Sequence, residues 1–394
     1  MTTTVSAPPS DALLAVYKRP PVEFVRGAGV QLFDAEGKAY LDLVAGIAVN
    51  ALGYGDAGLA QAMRDGMEGG IVHLSNLYRT SPGEQLADRL VAHTFADRVF
   101  FANSGAEANE GAFKIARRWG RAVGGAAKHE IIALRGGFHG RLFGTLAATD
   151  RPSYRAHFRP LVGGISIVER DLDELKAALN AETVAAVIVE PVQGEGGVRV
   201  LDHAFLRALR EMTSERKIAL ILDEIQCGYG RTGTFLAHEQ AAIVPDLLTV
   251  AKPMAGGLPM GAILTTQAMA EPMQPGDHGT TFGGGPFVST VALHVLDRLT
   301  DPALLAHVTS NGAWLGASLQ EMAAASGKVR AVRGIGYMWG IDVVDPAKEI
   351  VARALDAGLL ICSAGEHTLR LLPPLITTRE ELARGVATLA QVIG

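Results

Sequence analysis

The stretches "LILDEIQCGYGRTG" (residues 220–233) and "LLTVAKPMAGGLPMGA" (247–262) decide the fold. In each, a short Leu-rich or β-branched run stops at one charged residue, Asp223 in the first and Lys252 in the second, before a Gly- or Pro-rich turn. A run that is apolar at every position, rather than at every other one, reads as a strand covered on both faces. EIIAL (130–134), GISIV (164–168) and AAVIVE (185–190) read the same way. Helical patterns lie between and before them, at 84–95, 106–119, 172–179 and 203–215. This alternation predicts an α/β fold whose mostly parallel sheet carries helices on both faces and binds ligands at the carboxyl ends of its strands.

Working outward, the ends of the chain change character. Residues 21–43 predict a small meander turning at DAEGK (34–38), and long helices follow at about 287–299 and 302–325. Short strands near 330–342 and a last helix near 378–392 complete the chain. The expected division is a large domain over 50–290 and a small α+β domain formed by 1–49 and 291–394, with a loose N-terminal arm over about 1–15. The chain is 48% hydrophobic with 46 glycines, which suits a globular protein with many tight turns. A net charge of −5 and the lack of a basic stripe speak against a nucleic-acid partner. The two cysteines, Cys227 and Cys362, form no CxxC and accompany no His cluster, so neither a disulfide framework nor a metal site is expected. They suit a reduced, cytoplasmic setting. The N-terminus lacks the pattern of a secretory signal, and no window reaches the length of apolar sequence that spans a membrane.

Five places carry chemistry. In "NSGAEANEGAFKIARRW" (103–119), Asn103, Ser104 and Gly105 open a helix, whose first backbone N–H groups and dipole suit a phosphate; Ser104 as an ordinary N-cap is the competing reading. "GGFHGR" (136–141) sets Phe138 between glycines, where its ring could face a planar ligand or fold into the core, and adds Arg141, a fork for a carboxylate. Asp223 at a strand end needs a cation or the amides of the next loop. A protonated pyridine nitrogen is one such cation. Lys252, between a buried strand and a Pro/Gly turn, reads as an amine made nucleophilic by burial rather than as a surface lysine. "GTTFGGGP" (279–286) supplies hydroxyls and amides for a second phosphate contact. One planar phosphorylated cofactor accounts for all five.

These motifs, together with "VEPVQGEGGV" (189–198), "YLDLVAGIAVNALG" (40–53) and "LRLLPPL" (369–375), resemble the class III aminotransferases of pyridoxal-phosphate fold type I over nearly the whole chain. Within that family the wording lies nearest the members that act on acetylornithine in arginine biosynthesis. The resemblance implies pyridoxal 5′-phosphate carried on Lys252, with Asp223 at the ring nitrogen, Gln226 at the ring hydroxyl, and Phe138 and Ile225 on the two ring faces. It implies phosphate contacts from Ser104, Gly105 and Ala106, places Glu224 in the cofactor-binding set, and brings Thr281 to the cofactor of a neighbouring subunit in a homodimer. For the substrates, it assigns Arg141 to a carboxylate far from the reacting amine and Thr280 to a place nearby. Glu195 and Arg370 form a pair that opens when a carboxylate arrives next to the reacting carbon.

That pair answers a physical need. An ω-amino donor keeps its carboxylate distant, whereas glutamate carries one on the reacting carbon, so a near cation must be offered in one half-reaction and masked in the other. The implied reaction moves the amino group of N2-acetyl-L-ornithine to 2-oxoglutarate, giving N-acetylglutamate 5-semialdehyde and L-glutamate. Ornithine, succinyl-diaminopimelate, 4-aminobutyrate and carrier-linked aminoadipate semialdehyde are the alternative ω-substrates. Gly46 and Ile47 stand where ornithine enzymes place a Tyr. A glutamate-semialdehyde aminomutase would not need two carboxylate-reading arginines, and a non-catalytic binding protein would not need both Lys252 and Asp223. The chain departs from the family at "NALGYGDAG" (50–58), which lacks a usual His-Pro, at Gly285 and at Arg79.

Overall fold

The computed structural model describes residues 12–394; most of the expected N-terminal arm lies outside the described residues. Its centre is a seven-stranded sheet: β1 (Arg98–Ala102), β2 (Glu130–Leu134), β3 (Ile165–Val168), β4 (Val184–Val189), β5 (Ala219–Asp223), β6 (Leu247–Val250) and β7 (Gly261–Thr265), in the spatial order β1-β7-β6-β5-β4-β2-β3. Strands β2 to β6 run parallel, and β7 runs antiparallel to both of its neighbours. Every residue of β4, β5, β6 and β7 is buried. Along β5, Ile221 joins the cluster under the helix Gly105–Gly124, while Leu220 and Leu222 join the cluster on the opposite face. This is the two-residue alternation of a strand covered on both sides.

The sequence reading assigns no element to 261–265, where the structure has strand β7. The connection from β6 to β7, a short turn at Lys252–Ala255 and a few residues more, is too brief for a parallel crossover. The chain therefore reverses. The helix read at 106–119 runs from Gly105 to Gly124, and the one read at 84–95 runs from Ser81 to His93.

Two smaller sheets lie outside the central one, and the first joins the two ends of the chain. Phe24–Ala28, Gln31–Asp34 and Ala39–Asp42 form the meander, and Leu359–Leu360 pairs parallel with Ala39–Asp42 at its edge. The DAEGK turn is closed by the Asp34 carboxylate, which accepts from the Lys38 amide at 2.8 Å. The other sheet lines up Val329–Ile335, Met338–Val343, Thr368–Leu371 and Cys362–Ser363, all antiparallel. Its register sets Cys362 directly across from Arg370. Among the described residues, no helix is long and apolar enough to cross a membrane.

Candidate active site

The parallel strands bring their carboxyl ends to one edge, and a cavity of about 420 Å³ lies there. Ser104–Ala106 follow β1, Phe138–Arg141 follow β2, Glu190 and Glu195 follow β4, Asp223–Gln226 follow β5, and Lys252 follows β6; all but Glu224 line this cavity. Met260 just before β7 lines it too, because the reversed strand begins at this edge.

Asp223 is buried and fully engaged. Its Oδ2 accepts from Asn109 Nδ2 at 2.8 Å and lies 2.8 Å from His139 Nδ1, while Oδ1 accepts from the Ile225 amide at 3.1 Å. Asn109 in turn accepts from Thr249 Oγ1 at 2.7 Å and donates to the His139 carbonyl, so one amide side chain joins β5, β6 and the loop after β2. Glu190 accepts from the amides of Phe138 at 2.8 Å and Gly194 at 3.2 Å, tying two cavity-lining loops together. Burial pushes its carboxyl above the usual range, His139 opposing and Asp223 adding to the shift.

Lys252 lies among these carboxylates in apolar surroundings. Burial pulls its amine down to about 8, and the cation of Arg370 acts in the same direction. Arg370 is 1% exposed and meets three partners: Glu195 Oε1 at 2.6 Å, Gln226 Oε1 at 3.1 Å and Cys362 Sγ at 3.4 Å. Burial works against its charge, but the Cys362 sulfur and the Glu195 carboxylate outweigh it and hold the guanidinium above its ordinary value. Arg141 is the contrast. It is exposed at the cavity wall, and among the described residues its guanidinium has no hydrogen-bond acceptor, resting instead over the Tyr154 ring.

The chemistry of these donors fits a planar phosphorylated pyridine. The helix Gly105–Gly124 points its first turn at the cavity, with Ser104 capping it by accepting from the Glu107 amide at 3.2 Å. The amides of Gly105 and Ala106 find no acceptor within the described residues, which leaves two donors and the positive end of a dipole for an anion. Gly105 also admits Ile225 to the cavity wall, since a Cβ there would stand 2.7 Å from the isoleucine side chain.

Four expected residues stand elsewhere. The Glu224 carboxylate turns away from the cavity to accept from the amides of Ala237 and His238 and to meet the His238 ring. Thr281 is exposed and, with Thr280, lines a neighbouring hollow rather than this cavity. Arg370 lies behind Glu195 and Gln226 rather than in the wall. Arg79, one of the departures from the family, pairs with exposed Glu84 at 2.7 Å. The residues missed from the sequence are Asn109, His139 and Glu190. Glu190 ends the apolar run AAVIVE (185–190), a signal that could have found it, whereas Asn109 stands beside Glu110 and His139 in a Gly-rich loop, where nothing local singles them out.

A sheet of this order, with an acid and a lysine at adjacent strand ends and a helix N-terminus beside them, defines a pyridoxal-phosphate-dependent transferase of fold type I. The chain belongs to the class-III aminotransferases, whose family model matches residues 14–393. It is similar to the mitochondrial acetylornithine aminotransferase of Alnus glutinosa, 43% identical over 97% of this chain and 85% of that protein. The acetylornithine aminotransferase of Gloeobacter violaceus is 44% identical over 96% of this chain and 95% of that protein. Among solved structures, the N-acetylornithine aminotransferase of Stenotrophomonas maltophilia superposes with a TM-score of 0.83 at 37% identity, over 94% of this chain and 95% of that one. The ornithine aminotransferase of Toxoplasma gondii superposes with a TM-score of 0.93 at 28% identity, over 97% and 92%.

Proposed function

We propose that this aminotransferase moves the ω-amino group of N2-acetyl-L-ornithine to 2-oxoglutarate, yielding N-acetylglutamate 5-semialdehyde and L-glutamate. The observation that carries this reading is the asymmetry of the two arginines: Arg370 is neutralised by Glu195, while Arg141 is free. A donor whose carboxylate is remote from the reacting amine needs a free cation at a distance and none nearby. The chain around 45–48 passes through positive φ, and Val49 meets the cavity there, so this wall is apolar. An apolar wall suits a neutral acylated α-nitrogen better than the ammonium of ornithine.

Bound pyridoxal phosphate supplies an electron sink conjugated to the reacting amine. Lys252 would carry it and then move a proton at its own Nζ, a task for which an amine near neutrality is suited. Asp223 would face the ring nitrogen, its carboxylate held in place by donors from Asn109 and Ile225. Gln226 would meet the ring hydroxyl, Phe138 and Ile225 the ring faces, and Ser104, Gly105 and Ala106 the phosphate. We assign Arg141 to the remote carboxylate, Thr280 to the substrate's vicinity, and Arg370 to the near carboxylate of glutamate once Glu195 lets go. Thr281 completes the phosphate contacts of a partner subunit, which makes the protein a homodimer, and its setting is the cytoplasm. Glu224 supports the Asp223 turn through its backbone contacts rather than by touching the cofactor. The residues 50–290 form the cofactor domain and both ends of the chain the smaller one.

Single-turnover kinetics of each half-reaction test the reading. N-acetylornithine should outrun ornithine and 4-aminobutyrate as donor. Arg370→Ala should slow the glutamate half-reaction selectively by about ten- to hundredfold, the worth of a charge-assisted contact. Glu195→Ala should favour glutamate over the ω-donor. Equal losses in both half-reactions for Arg141→Ala and Arg370→Ala would overturn the assignment.

A further inference from the structure

Arg141 has to receive a carboxylate, yet no acidic or carbonyl group in its surroundings fixes its direction. Its Cζ stands 3.5 Å from the centroid of the Tyr154 ring and 5.9 Å from that of Phe138. The first distance is that of a guanidinium lying flat on a ring face, an attraction that leaves all five N–H donors free. A carboxylate partner would also orient the arginine, but it would occupy the fork that the substrate needs.

We infer that Tyr154 is a positioning residue that sets the donor selectivity of this site by holding the Arg141 guanidinium, through its ring face, toward the remote carboxylate of the substrate. Tyr154 lies outside the cavity wall. It belongs to the short helix Pro152–Arg155, and that turn is well anchored. The Arg151 side chain donates to the carbonyls of Asp150 and Glu195, and the Asp150 carboxylate accepts from the Gly136 amide at 2.8 Å. The same turn therefore grips the backbone of Glu195, on the near-carboxylate side, and supports Arg141, on the remote side. The ring is half-buried, which keeps it in one place, and the arginine above it is exposed to incoming substrate.

The inference rests on the assignment of Arg141 to the remote carboxylate, and the test separates the two. The holoenzyme, its Tyr154→Phe, Tyr154→Leu, Tyr154→Met and Arg141→Ala variants, and the double variant of Arg141→Ala with Tyr154→Leu are compared in both half-reactions by single-turnover kinetics. Tyr154→Phe keeps the ring face and should stay within about twofold of the parent, since the hydroxyl is not what holds the arginine. Tyr154→Leu and Tyr154→Met should lose about three- to tenfold in kcat/KM for N-acetylornithine, mainly through KM, with the glutamate half-reaction unchanged. In the Arg141→Ala background, Tyr154→Leu should add no further loss. An equal loss in both half-reactions, or a further loss on top of Arg141→Ala, would mark a merely structural ring and overturn the inference. So would wild-type behaviour of Tyr154→Leu alongside a donor defect in Arg141→Ala. If Arg141→Ala itself spared the ω-donor, the assignment of the arginine would fall first. Should the leucine variant not fold, the methionine variant and the phenylalanine variant still decide the matter.

Discussion

Burial pulls the amine of Lys252, the proposed carrier of the cofactor, down to about 8 from the 10.5 of an ordinary lysine. In the cofactor-free protein, acylation of Nζ by a small reagent, followed by mass spectrometry, should reach half its limiting rate near pH 8; a midpoint near 10.5 would overturn the burial argument. The sign for stability follows. The folded-state value lies below the unfolded one, so the unfolded chain binds the extra proton between about 8 and 10.5, and this group's contribution to stability rises as pH climbs through that window. Lys252 and Asp223 were legible in the sequence because a charge ending an apolar run is costly unless used. Asn109 and His139 were not, although their strings were quoted. The bond from Asn109 to Asp223 joins residues 114 apart, and no local pattern carries that pairing.

At the scale of elements, the buried strands were readable from apolar runs, but their direction was not. A run buried on both faces looks the same read either way along the sheet, and only the length of the connection to β7 fixes its reversal. The loop 279–286 shows the same limit. It follows no strand of the sheet, and it is held by packing against β1: a Cβ on Gly283 would lie 2.3 Å from the Phe101 carbonyl oxygen, backbone that cannot swing aside. Gly283→Ala should therefore lower stability by about 1–3 kcal/mol through overpacking. Gly279→Ala, four residues earlier, has nothing within 4 Å and should leave the thermal midpoint nearly unmoved. Equal midpoints for the two variants would show that the loop gives way.

At the scale of the molecule, the C-terminal part of the chain is bound to the centre by a buried cation. Arg231, 2% exposed in the turn after Asp223, donates to the carbonyls of Tyr337 and Pro373 from the C-terminal region. Burial pulls this guanidinium down to about 9, with Tyr337 and Asp42 opposing. Arg231→Met would match its length but leave both carbonyls without that donor, at about 1–3 kcal/mol each. Urea unfolding should show the loss, and a variant as stable as the parent would mean that the arginine is not the joint. The sequence marked this residue only as part of a Gly-rich string. Its partners lie more than a hundred positions away, so the joint becomes visible only when the chain is folded.

Arg141, Glu195 and Lys252 share one cavity, and Arg151 grips the Glu195 backbone at its edge. Donor and acceptor are thus rivals for the same space, and neither can be raised without limit before it shuts the other out.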